Sequence, residues 1–416
     1  MSQEESNSNL SRKSSGLSRR RFIAGAGAAA ATFCVMKPEI VRGYAANAKV
    51  NFGITGCGGR GTWITGLFKE HGGYNIAACA DYFQDRVDNL GTKFEVKPEN
   101  RFTGLSGYRR MLDLKLDAVA VESPPYFHPE QAAAGVEAGS HVYVAKPIAV
   151  DVPGCKTIGE SGKKATEKGL SFLIDFQTRA DEFYIEALKR VHEGAIGQFA
   201  FGEATYHAGV PWAGQVDFAK EGTAEGRLRA WGLDRVLSGD IITEQNIHTL
   251  DVANWIMNGP PLSAYGTGGQ KVRDFGTCWD TFSVVFQYPD NVGVTFSSRQ
   301  FNGHGTQPEG IRNRMFGTEG VLETQYGGEV LIRGKNFYRG GSSPGIYKDG
   351  AVNNIATFHA AIQAGDASNP TVSESVRSNM LTILGRTAAY EGRVVTWEEI
   401  EKSDQKLVAD LKGLKD

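Results

Sequence analysis

Two short stretches of this chain carry residue types that could do chemistry together. The first, Gly56-Cys57-Gly58-Gly59-Arg60-Gly61, fits G-x-G-x-x-G, follows a strand-like run and opens a helical one. Such glycines let backbone approach a pyrophosphate at a helix N-terminus. Asp81 lies 20 residues beyond Gly61, at the end of the next strand-like run, where a carboxylate can take ribose hydroxyls. It would repel a 2′-phosphate, and tyrosine rather than arginine follows it, so NAD is expected over NADP. The second stretch, "HVYVAKPIAV" from His141 to Val150, ends an apolar run on Lys146 and follows it with Pro147. Lysine is strongly hydrated and rarely buried without a partner, so its place there marks a site. Downstream, Glu244 and His248 stand i, i+4, which puts both on one helix face. That spacing could also ligate a metal, but no third ligand is evident and none is expected.

Positioning these groups falls to strand-like and helical runs that alternate from Lys49 to about Gln177. "KVNFGITG", "NIAACAD", "LDAVAVESP", "SHVYVAKPI" and "LSFLIDFQ" are continuously apolar, with "HPEQAAAGVEAG" and "VPGCKTIGESGKKATEKG" helical between them. That pattern predicts a parallel sheet covered on both faces, a Rossmann nucleotide-binding domain over residues 49–177. Beyond the helical "DEFYIEALKRVHEGAIG" the strands lengthen and alternate, as in "TFSVVFQYP" and "VGVTFSSRQF". Residues 178–416 therefore read as an α/β domain with a large, open, mainly antiparallel sheet for substrate binding and oligomerisation. A loop-rich insert from His207 to Asp240 interrupts it and carries Trp212 and Trp231. A C-terminal helix ending at Gly392 is placed at the domain interface.

Residues 1–48 read differently. Ser18-Arg19-Arg20-Arg21-Phe22-Ile23, the run "FIAGAGAAAATFCV" and the small-residue site Ala46-Asn47-Ala48 form a twin-arginine export signal. The apolar run is short for a membrane span, and Phe33 before Cys34 argues against a lipid anchor, so no membrane anchor is expected in the mature form. The chain is expected in the periplasm or otherwise exported, with the twin-arginine machinery as a partner. Cleavage removes seven of the 45 Lys/Arg and three of the 47 Asp/Glu, leaving an acidic chain. No basic cluster interleaves with aromatics, so nucleic acid is not expected. Cys57, Cys79, Cys155 and Cys278 show no metal spacing, and cargo that folds in the cytoplasm is not expected to form disulfides.

"NFGITGCGGRG", "ESPPYFHPEQAAAGVEAGSHVYVAKPI", "LIDFQTR", "EGAIGQ" and "GDIITEQNIHTLDVANW" follow one another in this chain. Their order and spacing resemble the glucose–fructose oxidoreductase/inositol dehydrogenase (Gfo/Idh/MocA) family across essentially the whole mature chain. The family's Glu-Lys-Pro corresponds to Ala145-Lys146-Pro147, so the lysine is kept and the glutamate lost. Its Asp…His pair corresponds to Glu244 and His248. The resemblance implies that Lys146 bonds both the cofactor ribose and the reacting hydroxyl, favouring an alkoxide. It implies that His248 takes the hydroxyl proton as hydride leaves for nicotinamide, while Glu244 contacts substrate or orients the histidine. Gly56, Gly58, Gly59, Arg60, Gly61 and Asp81, with Ser123, Pro124, His128 and Lys146, are expected at the cofactor. Gln177, Arg179, Trp231 and Glu244 are expected toward the substrate. Asp280, Arg299, Arg312 and Arg314 are further residues of the open sheet.

The expected function is that of an exported NAD(P)-dependent oxidoreductase with a tightly bound nicotinamide cofactor. Hydride would move to or from a hydroxyl/carbonyl carbon of a sugar, glycoside or polyol, in a homodimer or homotetramer. One alternative is an NAD-dependent glycosidase or lyase that oxidises a ring hydroxyl transiently, which the Lys-Pro pair argues against. The other is a catalytically inactive sugar sensor.

Overall fold

The structure, a computed structural model, describes residues 49–416; the export signal read over residues 1–48 lies outside them. Six parallel strands form the first sheet: β1 (Val50–Thr55), β2 (Tyr74–Asp81), β3 (Arg101–Thr103), β4 (Ala118–Val121), β5 (His141–Ala145) and β6 (Phe172–Asp175). Their order is β3-β2-β1-β4-β5-β6, so the order reverses between β1 and β4, where ligands bind outside the strand ends. The "AVAV" of β4 is buried throughout. Alternate side chains feed two cores, Val119 and Val121 on one face and Ala118 and Ala120 on the other.

The second sheet has nine strands: β7 (Phe199–Ala208), β8 (Ser263–Gly269), β9 (Thr281–Gln287), β10 (Gly293–Gln300), β11 (Gly310–Gly317), β12 (Gly320–Gln325), β13 (Glu329–Gly334), β14 (Tyr338–Ser342) and β15 (Val395–Thr396). They run β14-β13-β12-β11-β7-β10-β9-β8-β15, antiparallel except where β10 lies parallel to β7. Along β9, Phe282, Val284 and Phe286 are buried while Ser283 and Val285 are exposed, the alternation of a sheet with one covered face. The insert is less loop-like than its sequence reads. It folds into short helices, among them Ala224–Arg229, capped by Thr223.

The helix Thr371–Glu391 is buried along most of its length, packing against β6 and the helix Val152–Glu167 on one side and β8 and β9 on the other. The helix Ile346–Ala364 returns to the first sheet. Its Tyr347 stacks on Trp63, and its Ile355 carbonyl accepts from the Tyr74 hydroxyl at 3.1 Å.

Arg179 joins the elements at the end of the first sheet. Its guanidinium donates to both carboxylate oxygens of Asp251, on the helix Ile247–Met257, at 2.9–3.0 Å, and Ser378 donates to the same carboxylate at 2.6 Å. This corrects the expected substrate role of Arg179: both charges are buried and paired with each other. Removing one partner strands the other in a dry interior. Asp251→Ala should therefore cost about 3–5 kcal/mol, read as a lower denaturation midpoint. Loss below 1 kcal/mol would show the pair to be dispensable.

Candidate active site

The glycine loop is packed on one side and open on the other. Gly56 has φ 94°, and a Cβ there would lie 2.4 Å from the backbone of Glu122 and Ser123. A Cβ on Gly61 would meet the Gly56 carbonyl at 1.7 Å, whereas nothing lies within 4 Å of one on Gly59. The open side begins the helix Gly59–His71, whose free N–H groups suit a phosphate. Asp81 accepts from the N–H groups of Cys57 at 2.7 Å and Phe83 at 2.9 Å, which ties it to this loop. Burial raises its pKa, and Arg86 opposes that rise.

A cleft runs from Thr55 and Asp81 to Ser123 and Pro124, with Arg86 on its wall. A backbone loop open to phosphate beside a half-buried carboxylate fits the pyrophosphate and ribose of a dinucleotide. Arg86 was missed from the sequence; it sits in the first turn after Asp81, close enough to feel its charge.

Two expected cofactor contacts are turned elsewhere. The Arg60 guanidinium pairs with Glu122 and Asp175 rather than facing the open side of the loop. His128 has Nδ1 at 2.8 Å from the Pro147 carbonyl and Nε2 at 2.6 Å from the Ser123 carbonyl. Burial pushes its pKa down to about 4, against the pull of these two carbonyls; the neutral ring has one N–H and donates to one of them at a time.

The adenosine side is covered by the insert and the C-terminal residues. Leu228 lines the cleft. Tyr82 donates to Glu225 at 2.7 Å, Arg229 pairs with Asp85 at 3.0 Å, and Arg229 lies 3.9 Å from the Phe83 ring centroid. Lys415 reaches the same place: its N–H donates to the Tyr82 hydroxyl at 3.3 Å, and its carbonyl accepts from Leu105 at 3.0 Å. Trp231 packs in this apolar cover, 5.5 Å from the Trp212 ring, which places it with the cofactor-side cluster and not beside Lys146.

At the end of β5, the Lys146 ammonium donates to the Glu244 main-chain oxygen at 2.8 Å and to its Oε1 at 3.3 Å. Glu244 and His248 do not share one helix, contrary to expectation. The helix Ile241–Glu244 stops, and Ile247–Met257 begins after Gln245 and Asn246. In an unbroken helix the Glu244 carbonyl would accept from the His248 N–H. Here that N–H turns to Gln245 at 3.4 Å, which leaves the Glu244 carbonyl for Lys146. Glu244 thus holds the lysine rather than orienting the histidine.

The His248 ring lies 5.2 Å from that of Tyr326, and its Nδ1 has no hydrogen-bond partner among the described residues. Burial, then Lys146 and Arg60, hold its pKa well below the ordinary value. Burial lowers the Lys146 pKa and Glu244 opposes it. A donor held by a carboxylate and a neutral imidazole with a free nitrogen are suited to opposite sides of one hydroxyl.

Gln177 donates to Asp175 at 2.9 Å and is fully buried, so it supports this end of the sheet from beneath. Asp280 caps the N–H groups of Lys271, Val272 and Arg273, Arg299 pairs with Glu309, and Arg314 pairs with Glu203. Arg312 and Arg314 lie opposite the buried Asn313 and Met315 of β11. Among the described residues no three His, Cys, Asp or Glu side chains are placed to hold a metal.

Comparisons with known proteins agree with this geometry. Residues 50–172 match a model described as an oxidoreductase family with an NAD-binding Rossmann fold, and residues 184–323 match the GFO/IDH/MocA C-terminal domain. Inositol 2-dehydrogenase of Rhizobium meliloti is 21% identical over 83% of this chain and 99% of its own length. A 1,5-anhydro-D-fructose reductase of Ensifer adhaerens is 24% identical over 69% and 81%. The structure of aldose-aldose oxidoreductase from Caulobacter crescentus, complexed with glycerol, superposes with a TM-score of 0.65 at 20% identity, covering 84% of this chain and 99% of that one.

Replacing Asp81 tests the ribose site. Asp81→Ser should weaken NAD by about 1.5–3 kcal/mol, the loss of a charge-assisted bond, and improve NADP relative to it, with Arg86 left facing the phosphate. Dissociation constants of both nucleotides decide this; a wild type that already prefers NADP would contradict the reading.

Proposed function

Because this chain belongs to the GFO/IDH/MocA family of NAD-binding oxidoreductases, we propose that it moves hydride to and from a hydroxyl-bearing carbon of a sugar, glycoside or polyol. The pairing of Lys146 on Glu244 with a neutral His248 carries this reading. Lys146 donates to the substrate oxygen and stabilises developing alkoxide, and His248 accepts the hydroxyl proton. The nicotinamide, when bound, supplies the hydride acceptor. Relatives named for inositol and anhydrofructose favour a cyclic polyol or sugar. A screen of such compounds, followed at the nicotinamide absorbance, tests the class. In that assay Lys146→Met should lose roughly two decades of turnover with nucleotide affinity kept. Near wild-type turnover would remove Lys146 from the chemistry. Product formed with no net redox change would instead favour the glycosidase reading.

The cofactor we propose is NAD, held tightly enough to leave the cytoplasm with the folded chain through the twin-arginine route. Free nucleotide is scarce outside, and a ligand held far below its dissociation constant is lost unless release is slow. The cover of Leu228, Arg229 and Lys415 around Tyr82 supports slow release. Exported protein should therefore carry close to one nucleotide per chain through gel filtration, and show ping-pong kinetics with two substrates. Protein that arrives empty and works only with added NAD would contradict tight binding. The uncovered sheet face, where Tyr265 pairs with Val285 and both are about half exposed, supports assembly into a homodimer or homotetramer.

A further inference from the structure

Beside Lys146 lies a charged group that the hydride reading leaves without a role. Val121 pairs with Val144, and Ala145 with Asp175. Side chains alternate along a strand, and Ala120, Tyr143 and Leu173 share the core under the helix Gly59–His71. Glu122, Ala145 and Asp175, each two residues further on, therefore form a row on that face at the strand ends. The row reads acid, methyl, acid.

Arg60 crosses it. Its Nε lies 3.0 Å from Glu122, one terminal nitrogen meets Asp175, and the other donates to the Tyr347 hydroxyl at 2.9 Å. Strands two apart are separated by ~10 Å, and only a small side chain between them leaves the guanidinium room to cross. Ala145 supplies that room. The two acids are held unequally. Asp175 accepts from Asn354 at 2.7 Å and Gln177 at 2.9 Å. Glu122 has no exposed side-chain surface, and neither of its oxygens has a well-formed hydrogen bond among the described residues.

Resting on the oxidoreductase reading, we propose that Glu122, Asp175 and Arg60 form one positioning unit, in which Glu122 sets how strongly the Arg60 charge bears on Lys146 and His248. Glu122 is faced by Arg60 from the glycine-loop helix, Asp175 from β6, and Lys146 and Tyr143 from β5. Beyond Lys146 stand Glu244 and His248. Arg60 depresses both Lys146 and His248, second to burial in neither case but acting on both. Burial pushes Glu122 up to about 7, against the pull of Arg60. With Glu122 ionised, two carboxylates neutralise Arg60. With it protonated, one does, and more of the positive charge reaches the reacting groups.

Glu122→Gln keeps the shape and is neutral at every pH. Above about pH 7 Glu122 carries its charge, and losing that charge there eases proton loss from Lys146. The basic limb of the kcat/KM profile should therefore move to lower pH by roughly one unit. The acid limb, set by His248 at a pH where Glu122 is already protonated, should stay in place. A profile that only loses height would overturn the proposal. Lys146 can also be read without turnover, by its pH-dependent acetylation with acetic anhydride, mapped by mass spectrometry on the purified full chain. Its midpoint should fall in Glu122→Gln and rise in Arg60→Gln, which removes the charge that bears on Lys146. An unmoved midpoint overturns the coupling even if no substrate is ever found, while absence of turnover on every polyol removes the hydride reading alone. If Glu122→Gln folds poorly, Arg60→Gln still decides the matter, and Glu122→Asp should keep the wild-type midpoint.

Discussion

An ammonium buried between two sheets has to be held by an anion from the far side, and Lys146 on Glu244 is that contact. Both side chains are under a tenth exposed. Left alone, either charge would cost several kcal/mol. The interruption after Glu244 answers this twice, since it frees a main-chain carbonyl at a helix end, where partial negative charge collects, and leaves the carboxylate beside it. The same interruption begins a new helix with His248 in its first turn, so one local break places acceptor and donor around a single point.

The remaining architecture keeps that point fixed against the nucleotide site. Parallel strands put the glycine loop, Glu122, Lys146 and Asp175 at one edge. The helix Thr371–Glu391 packs on both sheets, and the Arg179–Asp251 pair joins the end of the first sheet to the helix that carries His248. The buried His128 ring sits between the carbonyls of two neighbouring strand-end loops. These contacts lie far apart in sequence, so the site forms only when both sheets do.

Much of the nucleotide site was legible in the sequence because its signals are local. Glycines at fixed spacing, a strand end on Asp81 and a lysine before proline each announce themselves within ten residues. What depended on register was not. Glu122 gains meaning only when β4 lies beside β5, with Arg60 folded over from another element. Arg179 follows a strand end, as a cleft residue would, but its partner is 72 residues away. Equal spacing could not reveal that Glu244 and His248 belong to two helices, since i, i+4 looks the same across a break. Trp231 looked like a sugar platform because it is an aromatic in a loop. The insert folds that loop onto the adenosine side, where the ring packs against apolar neighbours. The helix Ile346–Ala364 contains Gly350 and paired asparagines, weak helix formers, and is fixed by packing on the first sheet.

The central claim is direct hydride transfer to nicotinamide at the point between Lys146 and His248, and deuterium tests it most directly. A polyol deuterated at the carbinol carbon is turned over in ordinary water, and the nucleotide is released and weighed by mass spectrometry. Hydride transfer predicts that the deuterium appears in the reduced nicotinamide. A reduced nucleotide carrying only solvent hydrogen, or oxidised product with no label in the nucleotide, would contradict it.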